Sequence, residues 1–146
     1  MPQPLVLDTN IVLDLFVFDD PKAQALMRVL RDGTVRWLAT APMREELARV
    51  LAYPHIAARV AARGTDADAV LGGFEQHAEL VDEAARAPYA CKDPDDQKFI
   101  DLAAAHQAVL LSKDAQVLCM RSRLARVGVA ARAAWELPAQ AQPRAM

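Results

Sequence analysis

Residues 5–7 and 108–111 are short apolar runs, residues 35–40 read as a further short strand, and the segments between them repeat apolar side chains at helical spacing. A strand buried on both faces reads as an unbroken apolar run, where a half-exposed strand would alternate. Such strands alternating with helices call for an α/β chain with a parallel sheet covered on both faces and joined by right-handed crossovers. A chain of 146 residues can close one core of this kind without disulfides or a structural metal. No internal repeat or linker divides it, so residues 1–138 are expected to form one domain and 139–146 an unstructured tail.

Helix signals fill the gaps between the runs. After the turn at Asp8-Thr9-Asn10 the apolar character continues through Phe18 as a helix. Pro21 suits a first helical position, and Ala25, Leu26, Val29 and Leu30 keep helical spacing until Gly33. Pro42 opens a helix carrying Met43, Leu47, Val50 and Leu51, which Tyr53-Pro54 ends or bends. Residues 55–63 read as helical, and Thr65-Asp66-Ala67-Asp68 resembles a capping box for a helix to about His77, although Gly72-Gly73 weighs against it. A third strand is expected over 80–84, a helix from Asp95, a short helix from Asp114 to Leu118, and a last strand at 127–129.

Carboxylates recur where the apolar segments stop. Asp8 follows residues 5–7, Asp114 follows the run ending near Ser112, and Glu46, Asp93, Asp95 and Asp96 stand beside or within helical segments. In open parallel sheets ligands sit beyond the carboxyl ends of the strands. Acids gathered there repel one another, and only a cation or shared protons makes the cluster tolerable. Oxygen donors of this kind suit a hard divalent ion.

Other chemistries find less support. Cys91 and Cys119 lack a histidine cluster, while His55, His77 and His106 are scattered, which makes a poor zinc site and offers no activated nucleophile; two reduced thiols are expected. The net charge of −2 supplies no global field to recruit nucleic acid. Arginines cluster locally, from Arg28 to Arg49 and again from Arg121 to Arg132, as solvated helix faces would. The N-terminus has neither a basic start nor a long apolar stretch, and no apolar run is long enough for a membrane span, so a cytoplasmic protein is expected.

The order Leu5-Val6-Leu7-Asp8-Thr9-Asn10, then residues 44–51 (REELARVL), 91–100 (CKDPDDQKFI) and 111–114 (LSKD) resembles the PIN-domain family, in particular its VapC-like branch of bacterial toxin components. The resemblance implies a three-layer α/β/α sandwich and an endoribonuclease dependent on Mg²⁺ or Mn²⁺. It carries metal-binding and catalytic roles to Asp8, Glu46, Asp96 and Asp114, with Asp93 as a helper. Glu45 competes with Glu46, and both Asp93 and Asp95 compete with Asp96. The same resemblance implies an RNA substrate, a cognate antitoxin and a homodimer. Ser112 matches a position that often carries a hydroxyl and would orient a carboxylate or hold a water. Two departures stand out: Gln116 occupies the place of a further acid, which weakens a second-metal side, and Lys113 brings a positive charge that would partly neutralise the acids or contact a phosphate.

Hydrolysing a phosphodiester requires a water made nucleophilic and positive charge against the transition state, and a divalent ion supplies both. One ion is expected on Asp8 and Asp114, with a weaker second on Asp96, Glu46 and substrate phosphate. Thr9 and Asn10 are expected to stabilise the turn after Asp8, and Trp37 and Trp135 to pack, with stacking on bases the alternative use. An RNA-processing nuclease without an antitoxin remains open, as does a regulatory α/β domain that binds an ion without cleaving anything. A phosphoacceptor receiver fits poorly, since it would want an early acidic pair where Asp8-Thr9-Asn10 stands.

Overall fold

β1 (Gln3–Leu7) lies in the middle of the sheet, and Leu5, Val6 and Leu7 are almost wholly buried. The computed structural model describes residues 2–135, so the tail expected over 139–146 and the domain end at 138 lie outside the described residues. β1 pairs in parallel with β2 (Val35–Ala39) on one side, Leu5 opposite Trp37. On the other side it pairs in parallel with β4 (Val109–Leu111), Leu7 opposite Leu111. β3 (Glu79–Leu80) extends the sheet beyond β2, and β5 (Ala130–Arg132) beyond β4, both parallel. The order is β3-β2-β1-β4-β5.

The chain winds from β1 outward to β3, then returns past β1 to β4 and β5. Right-handed crossovers, the near-universal hand for such connections, therefore place the early and late helices on opposite faces. The early group comprises α1 (Thr9–Phe16), α2 (Ala23–Asp32), α3 (Ala41–Leu51), α4 (Pro54–Ala62) and α5 (Ala67–His77). The late group comprises α6 (Gln97–His106), which packs on β1 and β4, and the short α7 (Ala115–Leu118) and α8 (Arg121–Ala125), which pack on β5. This is the expected sandwich of a parallel sheet between helical layers. Reversal of strand order between β1 and β4 leaves a crevice beyond their carboxyl ends, where Asp8 and residues 112–114 emerge.

Local chemistry explains where the elements start and stop. Pro42 and Pro54 occupy first-turn positions of α3 and α4, where a missing N–H costs no helical bond. α5 is capped by Asp66, whose Oδ1 accepts from the Ala69 N–H at 2.8 Å; the box motif is thus carried by Asp66, not Thr65. Gly73 is no defect in that helix, since a Cβ there would lie 3.2 Å from the Phe16 ring, and the glycine lets α5 approach α1. Trp37 is 2% exposed and packs edge-on against Phe74 with centroids 5.1 Å apart, so it is a core residue with no free face for a base.

Two strands differ from expectation. The last one forms at Ala130–Arg132, not at 127–129, because Gly128 has φ +82° and turns the chain where an extended backbone was expected. The third is Glu79–Leu80, shorter and earlier than 80–84, since its partner β2 ends at Ala39; the Val81 N–H to Ala39 carbonyl bond at 2.8 Å closes the pairing. Cys91 is buried and Cys119 exposed, and both are free thiols. No helix among the described residues is long and apolar enough to cross a membrane.

Candidate metal centre

The crevice is built outward from the backbone. The Asp8 N–H bonds to the Leu111 carbonyl at 2.9 Å, which carries the β1–β4 ladder one residue past the strand and fixes Asp8 against the end of β4. Asp8 then precedes α1 as its N-cap, its carbonyl accepting the Ile11 and Val12 N–H groups. Its side chain makes no cap and turns instead to Ser112, whose hydroxyl donates to Asp8 Oδ2 at 2.6 Å. Ser112 is fully buried, and its Oγ also accepts the Asp114 N–H at 3.1 Å. One hydroxyl thus brackets two acids that lie at opposite ends of the sequence.

Asp93, Asp96 and Asp114 converge directly, each offering a carboxylate oxygen within 4.8 Å of the others. Asp93 caps the 3₁₀ turn Pro94–Asp96 by accepting the Asp95 N–H at 2.9 Å, and that turn swings Asp96 inward while Asp95 stays outside. Asp114 caps α7 by accepting the Gln116 N–H at 2.8 Å. The long segment leading to this turn is stapled to α6: Gln97 Oε1 accepts the Cys91 N–H at 2.6 Å, its Nε2 donates to the Tyr89 carbonyl at 3.1 Å, and Asp101 Oδ1 accepts the Ala87 N–H at 2.8 Å. Nothing in the local sequence of Gln97 announces that role.

Electrostatics single out Asp96. Only 7% of it is exposed, and Oδ2 has no hydrogen-bond partner among the described residues. Its carboxyl is pushed up to about 8, first by burial, then by a hydrogen bond with Asp114 and by the charges of Asp8, Asp114 and Asp93. Asp114 moves the other way, its carboxyl lowered chiefly by the bond with Asp96 and then by the Gln116 N–H. The two carboxyls are thus driven apart, with protonation favoured on Asp96 over Asp114. Asp8 is raised above the usual carboxylate range by burial, which outweighs the Ser112 hydroxyl opposing it.

Glu46 stands apart from these three carboxyls. Its Oε1 accepts from Lys98 Nζ at 2.7 Å, and its Oε2 accepts the Thr9 hydroxyl. Thr9 therefore serves Glu46, beyond the turn role expected of it, and Lys98 is a neighbour that sequence reasoning did not pick out. Glu45 is exposed, as is Asp95. Lys113, expected near the acids or a phosphate, instead pairs with the buried Asp14, its Nζ 2.6 Å from Asp14 Oδ2.

The donor set is suited to a hard cation: oxygens only, gathered closely, with one buried oxygen left unpartnered. The fold and the acids can now be set beside known proteins. A family model described as a PIN domain matches residues 4–116. The chain belongs to the PIN-domain family. PIN domains are generally nucleases, and PIN nucleases generally use divalent metals. The structure of VapBC2 from Rickettsia felis bound to a DNA fragment from its promoter is similar in fold, with a TM-score of 0.60 over 88% of this chain and 98% of that one at 12% identity. No curated protein matches the chain.

Proposed function

We propose that this PIN domain is a divalent-metal-dependent endoribonuclease and the toxin of a type II toxin–antitoxin pair, acting on cytoplasmic RNA. The observation that carries the metal reading is the unpartnered, buried Asp96 Oδ2 within reach of the Asp93 and Asp114 carboxyls. An isolated buried carboxylate oxygen is costly, and coordination would satisfy it. Asp93, Asp96 and Asp114 would hold Mg²⁺ or Mn²⁺, with Asp8 beside them. When bound, such an ion supplies Lewis acidity and an acidified water.

The remaining work falls to side chains. Asp8, fixed by the Ser112 hydroxyl and made more basic than an exposed carboxylate by burial, is placed to accept a proton from the attacking water. Asp96 and Asp114 would both be needed as carboxylates to hold the ion, so the proton favoured on Asp96 would have to leave when it binds. Support for the toxin role is thinner and of a different kind: the family, together with a fold neighbour that is a toxin–antitoxin complex. That likeness supports an antitoxin partner, and a homodimer is proposed from the family resemblance alone.

Expression of wild type and Asp8→Asn in bacteria tests the whole reading. Wild type should arrest growth and generate new RNA ends, and Asp8→Asn should do neither. Purified protein should cleave RNA with Mn²⁺ and stop in EDTA. Metal binding with diverse RNAs left intact would identify a non-catalytic domain, and cleavage without growth arrest would favour an RNA-processing nuclease.

A further inference from the structure

Resting on the metal reading above, we infer that Lys98 stands in for a second divalent ion, holding Glu46 out of the coordination sphere so that the apoprotein takes up a single ion. Both carboxylate oxygens of Glu46 are engaged, Oε1 by Lys98 Nζ at 2.7 Å and Oε2 by the Thr9 hydroxyl. The pair is sheltered, the two side chains being 16% and 25% exposed for Glu46 and Lys98, so water and salt screen it weakly.

Lys98 is itself held in place. Its Nζ donates to the Asp95 carbonyl at 2.6 Å and lies 4.9 Å from the Phe99 ring centroid. It belongs to the first turn of α6, two residues after Asp96, so the helix that carries an acid of the cluster also delivers the ammonium. An ammonium has donors and no lone pair, and it cannot ligate a metal. It neutralises Glu46 and repels a cation approaching from that side.

The arrangement divides the acids by charge balance. Asp93, Asp96 and Asp114 converge with no lysine or arginine bonded to their side chains among the described residues, whereas Glu46 has its own cation. Gln116 fits this division, since it brings an amide where the family resemblance called for another acid. Lys98 is accordingly a positioning residue that sets how many ions the centre takes by leaving a neutral ion pair on the Glu46 side.

Calorimetric titration of the full chain with Mn²⁺ tests this. Wild type and Lys98→Arg should bind one ion per chain, Lys98→Met two, and Lys98→Met combined with Glu46→Gln one again. A purely structural lysine would change the melting temperature without adding an ion. Two ions on wild type, or one on folded Lys98→Met, would overturn the inference. Wild type that binds no Mn²⁺ would instead sink the underlying metal reading. Should Lys98→Met fail to fold, Glu46→Gln alone decides: unchanged Mn²⁺ affinity supports the inference, and weakening by about tenfold or more, as loss of a coordinating or supporting group brings, overturns it.

Discussion

Acids at the carboxyl ends of β1 and β4 and acids on the adjoining helices solve the same problem by different means. Glu46 and Asp14 are shielded from solvent, and each has a lysine, Lys98 at 2.7 Å and Lys113 at 2.6 Å. At the centre, Asp96 and Asp114 have no lysine or arginine, and burial beside Asp114 and Asp93 pushes Asp96 toward its protonated form. A carboxylate with its own lysine is electrostatically complete. One kept tolerable by a proton is poised to exchange that proton for a metal. Charge balance, more than the number of acids, thus marks where an ion belongs.

The largest effect that would break this contrast is loss of a central acid. Asp96→Asn or Asp114→Asn should lower Mn²⁺-dependent RNA cleavage about 1,000-fold, since a Lewis-acidic ion is worth several kcal/mol at the transition state. Single-turnover cleavage at saturating Mn²⁺ would show it, and near-normal rates would place the chemistry elsewhere. Ser112→Ala should cost roughly 10- to 100-fold in metal affinity or rate, the usual consequence of removing a group that orients ligands. Titration with Mn²⁺ separates the two contributions.

Lys113→Met probes the flank. It strands Asp14, which is 7% exposed, but Lys113 itself is half-exposed. Stability should fall by roughly 1–2 kcal/mol, below the usual cost of breaking a fully buried pair, while Mn²⁺ affinity stays. Denaturant melts with and without Mn²⁺ would reveal a failure of that separation.

The last test is a pH dependence. Asp96 ionises near 3.8 when unfolded and at about 8 when folded, because of burial first and its acidic neighbours next. The folded state thus holds the proton more tightly. Its stabilisation is complete below pH 3.8 and is lost as pH rises through about 8 in metal-free protein. The melting temperature should decline across that window, Mn²⁺ should reverse the decline at its upper end, and Asp96→Asn should flatten it. A profile unchanged by Asp96→Asn would assign the titration to another group.

Much of the centre could be read from the chain because strand ends are local signals. Residues 5–7 and 108–112 announce β1 and β4, and an acid following a buried strand has few places to go, which made Asp8 and Asp114 visible. Asp96 was separable from Asp95 only by family resemblance; in the structure the 3₁₀ turn decides which of the two points inward. The contacts of Glu46 were illegible. Thr9 and Lys98 lie 37 and 52 residues from it, and no helical or strand period links such positions. Likewise β5 was misplaced by its apolar valines, although the positive φ of Gly128 between them is a feature that glycine makes possible.

The hydroxyl of Ser112 also makes the site depend on the edge of the sheet. It joins Asp8, at the end of β1, to Asp114, beyond β4, and its own N–H donates to the Arg132 carbonyl of β5 at 2.9 Å. A chain lacking β5 loses the backbone bond that secures this bracket. Truncation before Ala130 should therefore loosen Asp8 and Asp114 together, although neither residue touches the removed strand.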